Sequence, residues 1–293
     1  MTFSIVAVDP EKGDLGVAVA SKFIAVGAVV PWVRTGVGAV ATQAWANVKF
    51  GPLILYLLEN HYSPRQAVET ILAGDPKREH RQIGVVSAKG EVYAYTGEKC
   101  IPYAGHVIGD KYTVQGNILV GEEVLEAMAS AFEKAKGELV DKLLAALKAG
   151  DEKGGDRRGR QSAAVVVLRP CGGYGGCLEG VDKYVDLRVD DHPDPVNELI
   201  RLFKIWELTI LEREDPNDVY DLEEVAGKVQ EALKKLGYYH GPATGHPDQA
   251  TVKALEEWMA VNNFENKMRK DGKIWGTVYR FLLEQAGIKL EKG

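Results

Sequence analysis

With 293 residues the chain is long enough for two domains or one large one, and 45% apolar with 27% charged residues is the composition of a globular protein. A formal net charge of −6 argues against a nucleic-acid or anionic-membrane surface, and no apolar run approaches the ~20 residues that span a bilayer. The start has no basic stretch leading into an apolar one, so the expectation is a cytoplasmic protein without a secretory signal.

Met1-Thr2-Phe3-Ser4-Ile5-Val6-Ala7-Val8-Asp9 reads as a strand that begins with the chain itself. The small Thr2 permits removal of Met1. Residue 2 would then carry a free α-amine and a hydroxyl, a nucleophile with its own base, because an amine of pKa ~8 accepts the hydroxyl proton at neutral pH. The plainer reading is a buried strand with an ordinary Thr. A second apolar strand, Leu15 to Ser21, follows a Pro- and Gly-containing turn. Ala28 to Arg34 and Gly38 to Thr42 read as two more strands of the same sheet, which places Thr2 at its edge, and Gln43 to Asn47 leaves the sheet with two amides.

Gly51 to Asn60 and Pro64 to Ala73 read as helices, the second opened by a Ser63-Pro64-Arg65-Gln66 capping box. Strands are expected over Gln82 to Ala88, Glu91 to Thr96, Gly105 to Ile108 and Tyr112 to Gln115. Helices are expected over Glu122 to Lys136 and Glu138 to Ala149, then a buried strand over Gln161 to Arg169. Strands apolar on both sides need cover, which a sandwich of two sheets with helical outer layers provides. Cys171 and Cys177 flank a Gly-rich loop; two free thiols, a disulfide, or metal ligands lacking nearby companions all remain open.

Tyr184 to Asp190 alternates strictly and presents Asp186, Arg188 and Asp190 on one face, as a solvated edge, a subunit contact or part of a site. A metal hydrolase built on Asp190, Asp191 and His192 is disfavoured, since adjacent strand residues point to opposite faces. Asp194 caps a long helix to about Arg213. The polar Glu214 to Asp218 marks the domain boundary, giving domains 1–214 and 219–293. Beyond it, helices are expected over Asp221 to Leu236, with a capping box at Asp221 to Glu224, over Gln249 to Val261 and over Ile274 to Ala286. They make a small all-α three-helix domain.

Met1-Thr2-Phe3-Ser4-Ile5-Val6-Ala7, Gly16 to Ser21, Ala25 to Pro31, Gln115-Gly116-Asn117, Gly154 to Ser162 and Val185 to Pro193 together resemble the family called domain of unknown function 1028, placed with the N-terminal nucleophile hydrolases. The resemblance covers about residues 1 to 200 and implies an α+β fold, a four-layer αββα sandwich. Val229 to Pro242 and Thr251 to Leu255 resemble the peptidoglycan-binding-like helical domain, with the second Gly-rich turn altered to Ala243-Thr244-Gly245-His246-Pro247-Asp248. With no export signal, this module reads as a fold reused for docking or dimer contacts.

The mechanism expected from these residues is hydrolysis of an amide-like bond in a small molecule. The Thr2 hydroxyl attacks, its α-amine takes the proton, and water clears the acyl-enzyme. Asn117 donates to the oxyanion, with Gly116 allowing close backbone approach, and the charge of Lys22 tunes the amine or hydroxyl. Arg157, Arg158 and Arg160, three guanidiniums within four residues, form a fork for a carboxylate or phosphate, hence an anionic substrate such as an N-acyl or N-carbamoyl amino acid; alternatively they pair with Asp186, Asp190 and Asp191. Ser21, Gln43, Asn47, Gln82 and Gln115 add neutral contacts to substrate. No cofactor, metal, nucleic acid or membrane partner is expected, and a homodimer is. The rival reading is a non-catalytic ligand-binding or assembly protein that keeps Met1.

Overall fold

The computed structural model describes residues 2–179 and 181–289 and divides into two compact units, Met1–Leu202 and Phe203–Gly293. In the first, the elements run β1 Thr2–Asp9, β2 Asp14–Ser21, β3 Pro31–Arg34, β4 Gly38–Ala44, α1 Phe50–Glu59, α2 Pro64–Ala73, β5 Arg81–Ser87, β6 Val92–Thr96, β7 Gly105–Gly109, β8 Tyr112–Asn117, α3 Glu123–Lys134, α4 Leu139–Glu152, β9 Ser162–Leu168, α5 Gly176–Glu179 and β10 Lys183–Val189. The division falls within α6, Pro195–Thr209. This is a mixed α/β unit with two sheets.

The strands form a six-stranded sheet, ordered β10-β9-β2-β1-β8-β7, and a four-stranded sheet, ordered β3-β4-β5-β6. All their pairings are antiparallel. Burial on both faces, read from the unbroken apolarity of the first two strands, holds for β1 and β2. Their place in the fold differs from the expectation. β1 is internal, between β2 and β8, so Thr2 is at a strand end but not at a sheet edge. β3 and β4 belong to the other sheet.

The segment expected to be strand from Ala28 begins instead as a 3-10 turn over Val26–Ala28, with Ala28 and Val29 bonded back to Ala25 and Val26 and the Val26 amide bonded to the Ser162 hydroxyl. Local turn bonds thus replace ladder bonds until Pro31. Gln43, expected to leave the sheet, stays in β4 opposite Gln82.

Alternation within the strands decides what each face meets. In β1, Val6 and Val8 face a core shared with Val17 and Val19 of β2 and with Ala39, Ala41 and Val86 of the other sheet. This core lies between the sheets. Val40, Ile83 and Val85 point the opposite way and pack with Phe50, Ile54, Val68 and Leu72 of α1 and α2. The capping box of Ser63 and Gln66 is formed, with Pro64 opening α2. On the other side, α3 and α4 pack on the six-stranded sheet.

At the end of β2 remote from Thr2, Asp14 is fully buried and paired with Arg169 at 2.6 Å. Arg169 also reaches Glu138, the residue that caps α4. Nearby, Cys171 and Cys177 form a disulfide, which resolves the three alternatives left open by their spacing. The charged face of β10 pairs along its own strand, Lys183 with Asp186 and Arg188 with Asp190, and not with the Arg cluster. Partners two or three residues away on one strand meet without any further chain ordering.

The second unit holds β11 Val219–Asp221, α7 Leu222–Lys235, α8 Gln249–Val261, β12 Lys273–Trp275 and α9 Gly276–Gln285. It is mostly helical, but β11 and β12 pair, so the all-α expectation is corrected: three-residue strands carry too little alternation to read. α6 ends at Thr209 and not near Arg213. Asp221 caps α7 through the Glu223 amide, without the expected box. The helices close over Val229, Leu233, Trp258, Phe264, Val278 and Leu282. Lys267 is 1% exposed and is neutralised by Glu214, with the Leu211 carbonyl as its second acceptor.

Candidate functional site

The space between the sheets changes character along β1. Its even residues run Thr2, Ser4, Val6, Val8: apolar at one end, hydroxyl-bearing at the other. Facing strands change in step. β4 goes from Ala39 and Ala41 to Gln43, β2 from Val17 and Val19 to Ser21, and β8 offers Thr113, Gln115 and Asn117 on one face. The result is a buried polar cluster at the start of β1. Thr2, Ser4, Ser21, Gln43, Gln82, Thr113, Gln115 and Asn117 are each 6% exposed or less.

Hydrogen bonds account for the burial, since an unpaired polar group here would cost about 1–3 kcal/mol. The Thr2 and Ser21 hydroxyl oxygens are 3.2 Å apart. Ser4 donates to Gln43 Oε1 at 2.7 Å and accepts from Gln115 Nε2 at 2.6 Å. Gln43 Nε2 donates to Gln82 Oε1 at 2.9 Å and lies 3.4 Å from the Thr2 carbonyl. Asn117 Nδ2 also donates to Gln82 Oε1, at 2.8 Å. Gln82 Nε2 in turn faces the Gly116 and Gly105 carbonyls and the Thr96 hydroxyl. Gln82 is therefore the hub, fixed by backbone acceptors of β7 and β8 while orienting Gln43 and Asn117. Gly84 makes room for this: a Cβ there would stand 2.0 Å from Gln115 Oε1.

Six of the residues singled out from sequence thus come together: Thr2, Ser21, Gln43, Gln82, Gln115 and Asn117. Asn117 ends β8 directly opposite Thr2, two residues beyond the strand end expected at Gln115. Asn47 lies apart, its side chain turned to the Lys49 amide within the loop after β4. Lys22 is exposed and its ammonium reaches the Arg160 carbonyl at 3.3 Å.

The three arginines differ from one another. Arg158 pairs with Asp156 and Arg160 with Asp151, local partners in place of the β10 ladder. Burial pushes the Asp151 carboxyl up against the opposing pull of Arg160, and the same bond raises Arg160. Arg157 is exposed and gives its backbone amide to the Ile118 carbonyl. Sequence reasoning missed Ser4, Thr113 and Asp156. The signal for the first two was polar residues recurring at alternate positions inside otherwise apolar strands. Asp156 sits in a Gly- and Arg-rich loop with no periodicity to flag it.

Among the described residues no group of three or more His, Cys, Asp or Glu side chains is arranged to hold a metal ion. No helix among them is long and apolar enough to cross a membrane.

These features define a two-sheet α/β unit with a buried, neutral, hydroxyl- and amide-lined cluster at the start of its first strand, followed by a mostly helical unit. Residues 2–199 match the model described as "Family of unknown function (DUF1028)", and the chain belongs to that family. Residues 209–282 match the model described as "Putative peptidoglycan binding domain". The crystal structure of protein SPO2555 from Silicibacter pomeroyi, assigned to DUF1028, is similar with a TM-score of 0.63 and 32% sequence identity, over 70% of this chain and 86% of that one. No curated protein matches the chain.

Proposed function

We propose that the chain is an amidohydrolase of the N-terminal nucleophile type, its first unit a four-layer αββα sandwich, acting on the C–N bond of a small anionic amide or carbamoyl compound. The observation that carries this reading is the position of Thr2. Its hydroxyl opens the first strand, between two sheets, 3.2 Å from Ser21 and opposite Asn117. Met1, on whose removal the chemistry depends, lies outside the described residues.

Thr2 Oγ1 attacks the substrate carbonyl, its proton passes to the α-amine of the same residue and then to the leaving nitrogen as the C–N bond breaks, and water hydrolyses the acyl–Thr2 ester to release the acid and restore the hydroxyl. Asn117 has two Nδ2 protons and gives one to Gln82, so the other serves the oxyanion. The hub at Gln82 holds that donor in place before substrate arrives, which is where its electrostatic value lies. Lys22, next to Ser21, and Arg157, whose backbone amide bonds the carbonyl of Ile118 next to Asn117, supply the cationic rim that an anionic substrate meets. Arg158 and Arg160, engaged by carboxylates, shape the loop. Domains of 1–214 and 219–293, a cytoplasmic homodimer, and a C-terminal module used for docking complete the proposal.

A second reading, a non-catalytic ligand-binding or assembly protein with Met1 retained, is favoured by the burial of Thr2, 6% exposed. Incubation with a panel of N-acyl and N-carbamoyl amino acids, followed by assay of released amine, separates the two. The hydrolase reading expects turnover that Thr2→Ala abolishes. Turnover that survives Thr2→Ala removes Thr2 from the chemistry.

A further inference from the structure

β1 has a neighbour on each side, and β2 and β8 both end level with its start, at Ser21 and Asn117. In the register of the sheet Phe3 faces Ala20 and Thr2 faces Asn117, so Lys22 and Ile118 lie one step beyond the Thr2 pairs on either side. One residue contacts both chains there. The backbone of Asp156 bridges Leu119, flanked by bonds from the Val120 amide to the Gly155 carbonyl and from the Arg157 amide to the Ile118 carbonyl. Its carboxylate crosses to the other side and accepts the Lys22 amide at 2.7 Å. Its second oxygen accepts the Arg158 amide at 2.9 Å. Asp156 is 5% exposed, so this is a buried charge held by backbone N–H groups and one guanidinium.

We infer that Asp156 is a positioning residue that ties the chain after Ser21 to the chain after Asn117 and thereby fixes both side chains about the Thr2 hydroxyl. The inference rests on the nucleophile reading of Thr2 for its kinetic consequence, but its geometric part stands apart from that reading. Ser21 precedes the gripped Lys22 amide, and Asn117 lies two residues before the bridged Leu119. Loosening the bracket lets the two flanking strands move independently at the one level where their side chains must converge. An ångström of misplacement is enough to cost roughly a hundredfold in a reaction that depends on alignment. The position of the carboxyl oxygen matters more than its charge, because its partner on the β2 side is a neutral backbone amide. Asp156→Asn keeps one acceptor, enough for the Lys22 amide, and gives up the second oxygen's bond to the Arg158 amide; Asp156→Glu keeps the charge but carries it one methylene away.

The test uses the full chain free of Met1 and p-nitrophenyl acetate as the probe. Thr2 Oγ1 attacks the acetyl carbonyl, the ester C–O bond breaks, p-nitrophenolate leaves with the electron pair, and the hydroxyl proton goes to the α-amine. The burst of p-nitrophenolate gives the rate, and peptide mass mapping places the acetyl group on Thr2. Hydrogen exchange of the Lys22 amide is followed in parallel, with melting temperatures recorded for each variant.

Asp156→Glu is expected to slow acetylation of Thr2 at least about tenfold and to expose the Lys22 amide to exchange. Asp156→Asn is expected to remain within about threefold of the parent. Asp151→Ala, which breaks the neighbouring pair with Arg160, is expected to leave the rate unchanged, so that loss of a nearby salt bridge alone is not the cause. An Asp156→Glu protein that acetylates at the parent rate, or keeps its Lys22 amide equally protected, overturns the inference. If the parent Thr2 is not acetylated at all, the nucleophile reading falls. The Lys22 exchange of the Glu and Asn variants then decides the positioning role by itself.

Discussion

Replacing Glu138 by Gln removes one charge and almost no volume from the cluster that fastens α4 to the sheet. Its carboxylate accepts Lys12 Nζ at 2.7 Å and the Tyr184 hydroxyl at 2.5 Å, with the Arg169 guanidinium 3.1 Å away. Burial raises the pKa of this group, but the bonds from Lys12, Tyr184 and Arg169 together outweigh burial and bring it from 4.5 to about 2. The side chain is 17% exposed, so solvent screening is modest. A fall of roughly two and a half pH units, at about 1.4 kcal/mol each, corresponds to an upper bound of about 3–4 kcal/mol of folding free energy.

The sign follows from which state holds the proton. The folded value lies below the unfolded one, so the stabilisation is fully present above about pH 4.5 and is lost as pH falls towards about 2. Urea unfolding of the parent and of Glu138→Gln across this range should give a gap of about 2–3 kcal/mol at neutral pH that closes on acidification. Other carboxylates contribute equally to both proteins and cancel in the difference. A gap that is absent at neutral pH, or that persists unchanged to about pH 2, refutes the reasoning.

Gln82→Leu removes the shared acceptor of Gln43 and Asn117 and should cost about 3 kcal/mol in urea unfolding, because two buried amides lose their partner. Gly84→Ala places a methyl against Gln115 Oε1 and should cost about 2 kcal/mol or more, with the Gln115 side-chain NMR signals shifted. In the second unit, Glu214→Ala leaves Lys267 as an uncompensated buried charge; a loss of about 3–5 kcal/mol is expected, read from the fluorescence transition of its tryptophans.

Much of the first unit was legible because unbroken apolar runs bounded by Gly and Pro mark buried strands whatever sheet they join. Which sheet they join was not legible. β1 and β2 bury both faces, so nothing in their composition distinguishes an edge from a centre, and the pairing of β1 with β8 spans more than a hundred residues of chain. The site was half legible for a related reason. Thr2, Ser21, Gln43, Gln82, Gln115 and Asn117 each look like strand-end punctuation alone. They become a cluster only when two sheets stack with their polar ends aligned. The Arg triplet misled in another way, since three like charges in a loop suggested a fork, whereas the chain supplies Asp151 and Asp156 within ten residues to engage two of them.

The intact mass of the protein, produced without an N-terminal tag, tests the central claim most directly. The account predicts a mass short by one Met, leaving Thr2 with a free α-amine at the start of β1. A mass that includes Met1 contradicts it, because the Thr2 hydroxyl then has no base of its own and the buried cluster stands as the polar core of a binding or assembly scaffold.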